Sequence, residues 1–123
     1  MRPGEAVAVS AACAFVASTA LAQDADKACD SPVTPEIVDC LNGKAAQWDK
    51  RLNAAYQRTL KETEPKQREQ LRTSQRLWMQ YRDANCLYYA LGEGTIARVD
   101  AADCMLRMTQ ERAKELGAGS EQK

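Results

Sequence analysis

The sequence predicts an all-α fold: an antiparallel hairpin of two long helices plus a shorter third helix, stapled by disulfides. Three observations predict it. After residue 33 apolar residues recur at helical steps over most of the chain, no stretch reads as a strand, and the cysteines fall where two bridges can close near helix ends. The chain has 123 residues, 45% of them apolar, with 17 Lys+Arg against 17 Asp+Glu, which describes one small domain. It contains no histidine. Ser-His-Asp and Cys-His catalytic apparatus and His-containing zinc sites are therefore excluded. A formal net charge of zero argues against a nucleic-acid binder, because affinity for phosphates comes mainly from cationic excess.

Residues 1–22 read as an export signal. Met1-Arg2 supplies a positive start, Ala6 to Ala17 an apolar run, and Ala20-Leu21-Ala22 a small-residue cleavage site, so Gln23 is the expected mature N-terminus. The run is too short and alanine-rich for a membrane span, and no other stretch approaches the roughly 20 apolar residues a span needs. Ser10-Ala11-Ala12-Cys13 faintly resembles a lipidation box, but the apolar stretch before it is too short and the better cleavage site follows. Residues 23–33 are polar and acidic, and form an extended lead-in held by Cys29.

The helical domain covers residues 34–116. Thr34-Pro35 offers an N-cap with proline at the first helical position, and Glu36 suits the helix dipole. Ile37, Leu41, Ala45, Trp48, Leu52, Ala55 and Leu60 then form an apolar stripe to about Thr63, with Asn42-Gly43 as the expected weak point. Glu64-Pro65 breaks it. A second helix runs from Pro65 or Lys66 to about Leu91, with the seam Leu71, Gln75, Trp78, Arg82, Cys86 and Tyr89. Gly92-Glu93-Gly94-Thr95 ends it, and an ordered loop is expected as far as Val99. Asp100 is the expected cap of the third helix, which carries Ala101, Cys104, Met105, Met108, Arg112 and Leu116 and lies across one end of the hairpin. Residues 117–123 read as a flexible tail.

Cleavage after Ala22 leaves four cysteines, Cys29, Cys40, Cys86 and Cys104, an even number that in an exported chain points to two disulfides. No C-x-x-C pair is present to suggest a metal site. Of the three possible connectivities, geometry selects Cys29 with Cys40 and Cys86 with Cys104. The last two lie at similar depth on either side of one turn, and Cys40 lies two turns into a helix that the lead-in can fold back to reach.

Polar residues on a core-facing seam must find partners. Asp49, Asn53 and Tyr56 on the first helix, Gln75, Trp78, Arg82 and Asp83 on the second, and Arg112 on the third form a candidate structural network. In it Arg82 and Arg112 share Asp49, Asp83 and nearby carbonyls. The sharper alternative is a ligand pocket around Arg82 and Trp78. Trp48, Trp78, Tyr81, Tyr88 and Tyr89 read as inter-helix packing, with Tyr88-Tyr89 the pair expected to be partly exposed. Lys66, Arg68, Arg72 and Arg76 read as a solvated basic face.

The run from Leu71 to Cys86, with Gln75-Arg76, Trp78 and Arg82-Asp83, is similar to the signature of the LprI-like family, small exported bacterial proteins named for a lysozyme inhibitor. Asp49-x-x-Leu52-Asn53-x-x-Tyr56, the glycine turn before Thr95-Ile96, and Cys104 followed by Thr109-x-x-Arg112-x-x-x-Leu116 match the same pattern in order. The resemblance covers nearly all of residues 29–116. One departure is Gly92-Glu93-Gly94, where the family often has adjacent glycines.

The resemblance implies an all-helical, disulfide-bonded protein of the periplasm or extracellular space that inhibits a peptidoglycan-cleaving enzyme. No enzyme activity, cofactor or metal is expected, because a compact helical hairpin offers little room for a substrate cleft and no acid pair stands out among the carboxylates. For that function the candidate partner-binding residues are Tyr88, Tyr89, Thr95 and Arg98, with a cationic donor entering a cleft that holds two catalytic carboxylates. The alternative is an interaction module for another envelope protein or an anionic cell-wall polymer, bound through the basic face.

Overall fold

The computed structural model describes residues 29–118. The expected export signal, residues 23–28 of the lead-in and residues 119–123 lie outside the described residues. Three helices follow in order: α1 over Thr34–Glu62, α2 over Pro65–Ala90 and α3 over Ile96–Glu115. Among the described residues there is no strand.

α1 runs unbroken through Asn42-Gly43, with Pro35 in its first turn and Glu36 at its positive end. Thr34 is not its cap. Val33 occupies that position, and Ser31 secures the entry: its hydroxyl oxygen accepts from the Val33 N–H at 3.1 Å, and the hydroxyl donates to the Glu36 carboxylate. Thr63-Glu64 then turns the chain, and Arg68 of α2 reaches back to the end of α1. Its guanidinium donates to the carbonyls of Leu60 at 2.8 Å and Thr63 at 2.9 Å, oxygens that the helix end leaves unpaired. Arg68 is thus a cap for α1 rather than part of a solvated face, and Arg72 beside it pairs with Glu69.

α1 and α2 are antiparallel, and the packing between helices runs chiefly through α3. α3 does not lie across one end of the hairpin as its length suggested. It runs along the groove, bridged to α2 through Cys104 near its middle and packed along α1 from Met105, beside Ala45, to its C-terminal end, where the Thr59 hydroxyl lies 3.4 Å from the Leu116 carbonyl oxygen. The reason is compositional. Ala102, Cys104, Met108, Thr109, Arg112 and Ala113 of α3 are all buried, so the helix is wetted only along a narrow strip and fits between two neighbours. Ala55 of α1 and Ala113 of α3 have no exposed surface, and such small side chains permit close backbone approach. Leu41 and Leu52 complete α1's contribution to the core.

α3 begins five residues earlier than Asp100 as its cap implied, with Thr95 in the cap position. Gly94, at φ 78°, makes the turn, and the N–H groups of Ala97 and Arg98 bond the carbonyls of Gly94 and Thr95. Burial of Ala97 pulls this first turn into the helix, whereas Asp100 is exposed. At the other end Gly117 (φ 94°) and Ala118 bond back to the carbonyls of Lys114 and Ala113, a Schellman termination that holds the chain two residues into the expected tail.

Candidate functional site

Both disulfides join the expected partners: Cys29 with Cys40, Cα atoms 5.7 Å apart, and Cys86 with Cys104 at 5.5 Å. The second lies in the middle of the core, against Met108 and flanked by Trp78 and Met105. Asn85 donates toward the Met108 sulfur at 3.3 Å.

The polar seam divides into two arginine centres. Arg82, with little of its side chain exposed, bonds Asp83 through Nε and Nη2 at 3.0 Å. Its Nη1 lies 3.4 Å from the Thr109 hydroxyl and 3.9 Å from Asp49, and the guanidinium stands 5.0 Å from the Trp78 ring centre. Arg112 is not part of that group. It donates from Nε to the buried Gln75 amide oxygen at 3.0 Å and from Nη1 to Glu115 at 2.7 Å. Asn53 is exposed and bonds Asp49 at 3.3 Å, while Tyr56 is half-buried and makes no hydrogen bond to the group. Thr109, which the family pattern included but the network reading omitted, is fully buried and touches Arg82. A neutral hydroxyl on a mostly apolar seam gives no sequence signal of its own.

The hollow beside Arg82 is lined by Ala45, Ala46, Asp49, Met105 and Thr109 and holds about 280 Å³. That is at the small end for a ligand site, and the guanidinium donors facing it are already engaged. Trp48 has a different neighbourhood, half-buried between Arg51 of its own helix at 4.6 Å and Lys114 of α3 at 5.6 Å.

An open cleft lies where α2 gives way to α3. It holds about 450 Å³ and is lined by Tyr88, Tyr89, Leu91, Gly92, Glu93, Ile96, Ala97 and Asp100. Its shape follows from the position of the disulfide. Cys86 is four residues from the end of α2 and Cys104 eight from the start of α3, so α3 overhangs α2 by about one turn, roughly 6 Å. Tyr88 and Tyr89 meet edge to face with ring centres 5.3 Å apart. Thr95 stands at the N-cap of α3 and Arg98 in its overhanging first turn, both exposed and neither lining the cleft. The cleft's charged members are instead the acids Glu93 and Asp100. Tyr81, expected in the core, is exposed as well.

Among the described residues no cluster of His, Cys, Asp or Glu could hold a metal ion, and no helix is long and apolar enough to cross a membrane. No curated protein and no solved structure matches the chain. A family does match: with its three helices, two bridges and arginine-centred seam, the chain belongs to the lysozyme inhibitor LprI family, an inhibitor family rather than a catalytic one, over residues 25–116.

Proposed function

We propose that this protein is an exported, non-enzymatic inhibitor that binds a lysozyme through the end of the molecule where α3 overhangs α2. The observation that carries this reading is the composition of that end: an apolar cleft built on Tyr88, Tyr89, Leu91 and Ile96, with two carboxylates in its wall and the exposed Arg98 next in the chain to Ala97 of its lining. Tyrosines give large contact area at little cost in side-chain freedom. Lysozymes are commonly cationic, and Glu93 with Asp100 supply locally the acidic complement that a net charge of zero does not supply at long range. Arg98 on the overhanging turn suits a cleft whose floor holds a pair of catalytic carboxylates, and Thr95 beside it adds a hydroxyl. The Cys86–Cys104 bridge braces the tip, which lowers the ordering cost of binding.

Export fits the same reading, with residues 1–22 removed after Ala22 and the disulfides closed in an oxidising compartment. The test is to titrate the disulfide-intact protein into activity assays of several lysozyme classes. Inhibition of at least one is expected, and Arg98→Glu abolishes it without changing helicity. A protein that inhibits none of them overturns the function, and inhibition unchanged by Arg98→Glu overturns the tip as its site.

A further inference from the structure

α2 carries a second apolar row that the fold leaves uncovered. Leu77, Tyr81, Ala84, Tyr88 and Leu91 follow one another at steps of four, three, four and three, the spacing of a coiled-coil seam, within an arc of about 80° at 100° per residue. All five are exposed: Leu77 at 56%, Tyr81 at 62%, Tyr88 at 74% and Leu91 at 76%, with Ala84 open beside them. The inward seam of Gln75, Arg82 and Cys86 lies roughly opposite. Single exposed apolar residues are ordinary, but a continuous row at seam spacing marks an interface.

We infer that a second copy of this chain docks on the row, the two α2 helices pairing antiparallel about a two-fold axis at Ala84. Self-complementarity selects this occupant. A two-fold interface needs one patch that fits itself, and the order Leu, Tyr, Ala, Tyr, Leu reads alike in both directions. Leu77 of one copy meets Leu91 of the other and Tyr81 meets Tyr88, while the small Ala84 meets itself and lets the backbones approach.

Area and charge agree. Together with the adjoining Leu87, the row exposes roughly 800 Å² per copy, an upper bound on what pairing buries and close to one partner's share of a standard-size interface. Its edge positions are Gln80 and Leu87 on one side and Trp78 and Asn85 on the other, so two copies meet without like-charge repulsion. The same register sets Arg76 against the Gly92-Glu93 turn of the other copy, an opposite charge.

Tyr88 and Leu91 also line the tip cleft, so pairing competes with enzyme binding for them. Leu77 and Tyr81 lie outside that cleft and separate the two surfaces.

Sedimentation velocity of the purified, disulfide-intact protein over rising concentration tests the pairing. A reversible monomer–dimer equilibrium is expected, with the dissociation constant raised about 30-fold or more by Tyr81→Glu at unchanged helicity, the effect of removing one interface hot spot. Leu77→Gln weakens the dimer in the same direction and serves if Tyr81→Glu does not fold. For orientation, Leu77→Cys mixed with Leu91→Cys forms a cross-linked pair on oxidation, whereas neither does so alone. A protein monomeric throughout, a dimer indifferent to both substitutions, or self-cross-linking of Leu77→Cys overturns the proposal. So does a row protected only in a lysozyme complex. Lysozyme inhibition that survives Tyr81→Glu leaves the tip reading untouched, so the two fail separately.

Discussion

The two faces of α2 are made the wrong way round for an ordinary amphipathic helix. Its inward face holds Gln75, Arg82 and a half-cystine, while its outward face holds Leu77, Tyr81, Tyr88 and Leu91. The inward polar groups are tolerated because each has a partner brought by another helix: Gln75 receives Arg112, and Arg82 receives Thr109 and Asp49. Among the described residues no buried side-chain nitrogen or oxygen lacks a hydrogen-bond partner. The outward apolar groups stay largely exposed, Tyr88 meeting only the edge of Tyr89 and the rim of the tip cleft. The difference teaches that the inward face is closed business of the fold, while the outward face is left open for the pairing proposed above.

Breaking the inward face produces the larger effects. Replacing Cys86 and Cys104 together by alanine lowers unfolding stability by about 2–5 kcal/mol in urea titration, because the bridge is both a cross-link and the centre of the α2–α3 core. Gln75→Leu follows at about 2–3 kcal/mol, since it leaves the buried Arg112 guanidinium with Glu115 as its remaining acceptor. Gln75→Glu keeps an acceptor and costs less by the same measurement.

Arg82→Met is milder, about 1 kcal/mol or less in the same titration, although Arg82 is the more connected residue. Asp49 and Asp83 are more than half exposed and return to water, and the Met chain still covers Trp78. On the outward face Leu77→Gln changes monomer stability in dilute solution by no more than about 0.5 kcal/mol. A larger loss there would mean that the row serves the fold, and the contrast between the faces would disappear.

Much of this was legible beforehand. The stripe from Ile37 to Leu60, the break at Glu64-Pro65 and the stop at Gly92 are local signals, and each places a helix or its end within a few residues. Both disulfides could be paired from helix geometry alone, because short connections leave each cysteine few reachable partners. Less legible was the start of α3, where Asp100 has the chemistry of a cap but the chain had already turned at Gly94 to bury Ala97. Of the four candidate tip residues Tyr88 and Tyr89 line the cleft and Thr95 and Arg98 do not, their place being taken by Glu93 and Asp100.

The amino-acid order by itself determined the helices, the breaks between them and the cross-links, since all follow from residue spacing along a single rod or across a single turn. Only the tertiary structure decided that α3 lies along the groove, that Arg112 pairs with Gln75 rather than sharing the carboxylates of Arg82, and that Tyr81 faces out. Periodicity shows which residues share a face of a helix. Which of two apolar faces is covered depends on where the other helices go, and here the bridge to Cys104 draws α3 onto the face that carries Cys86.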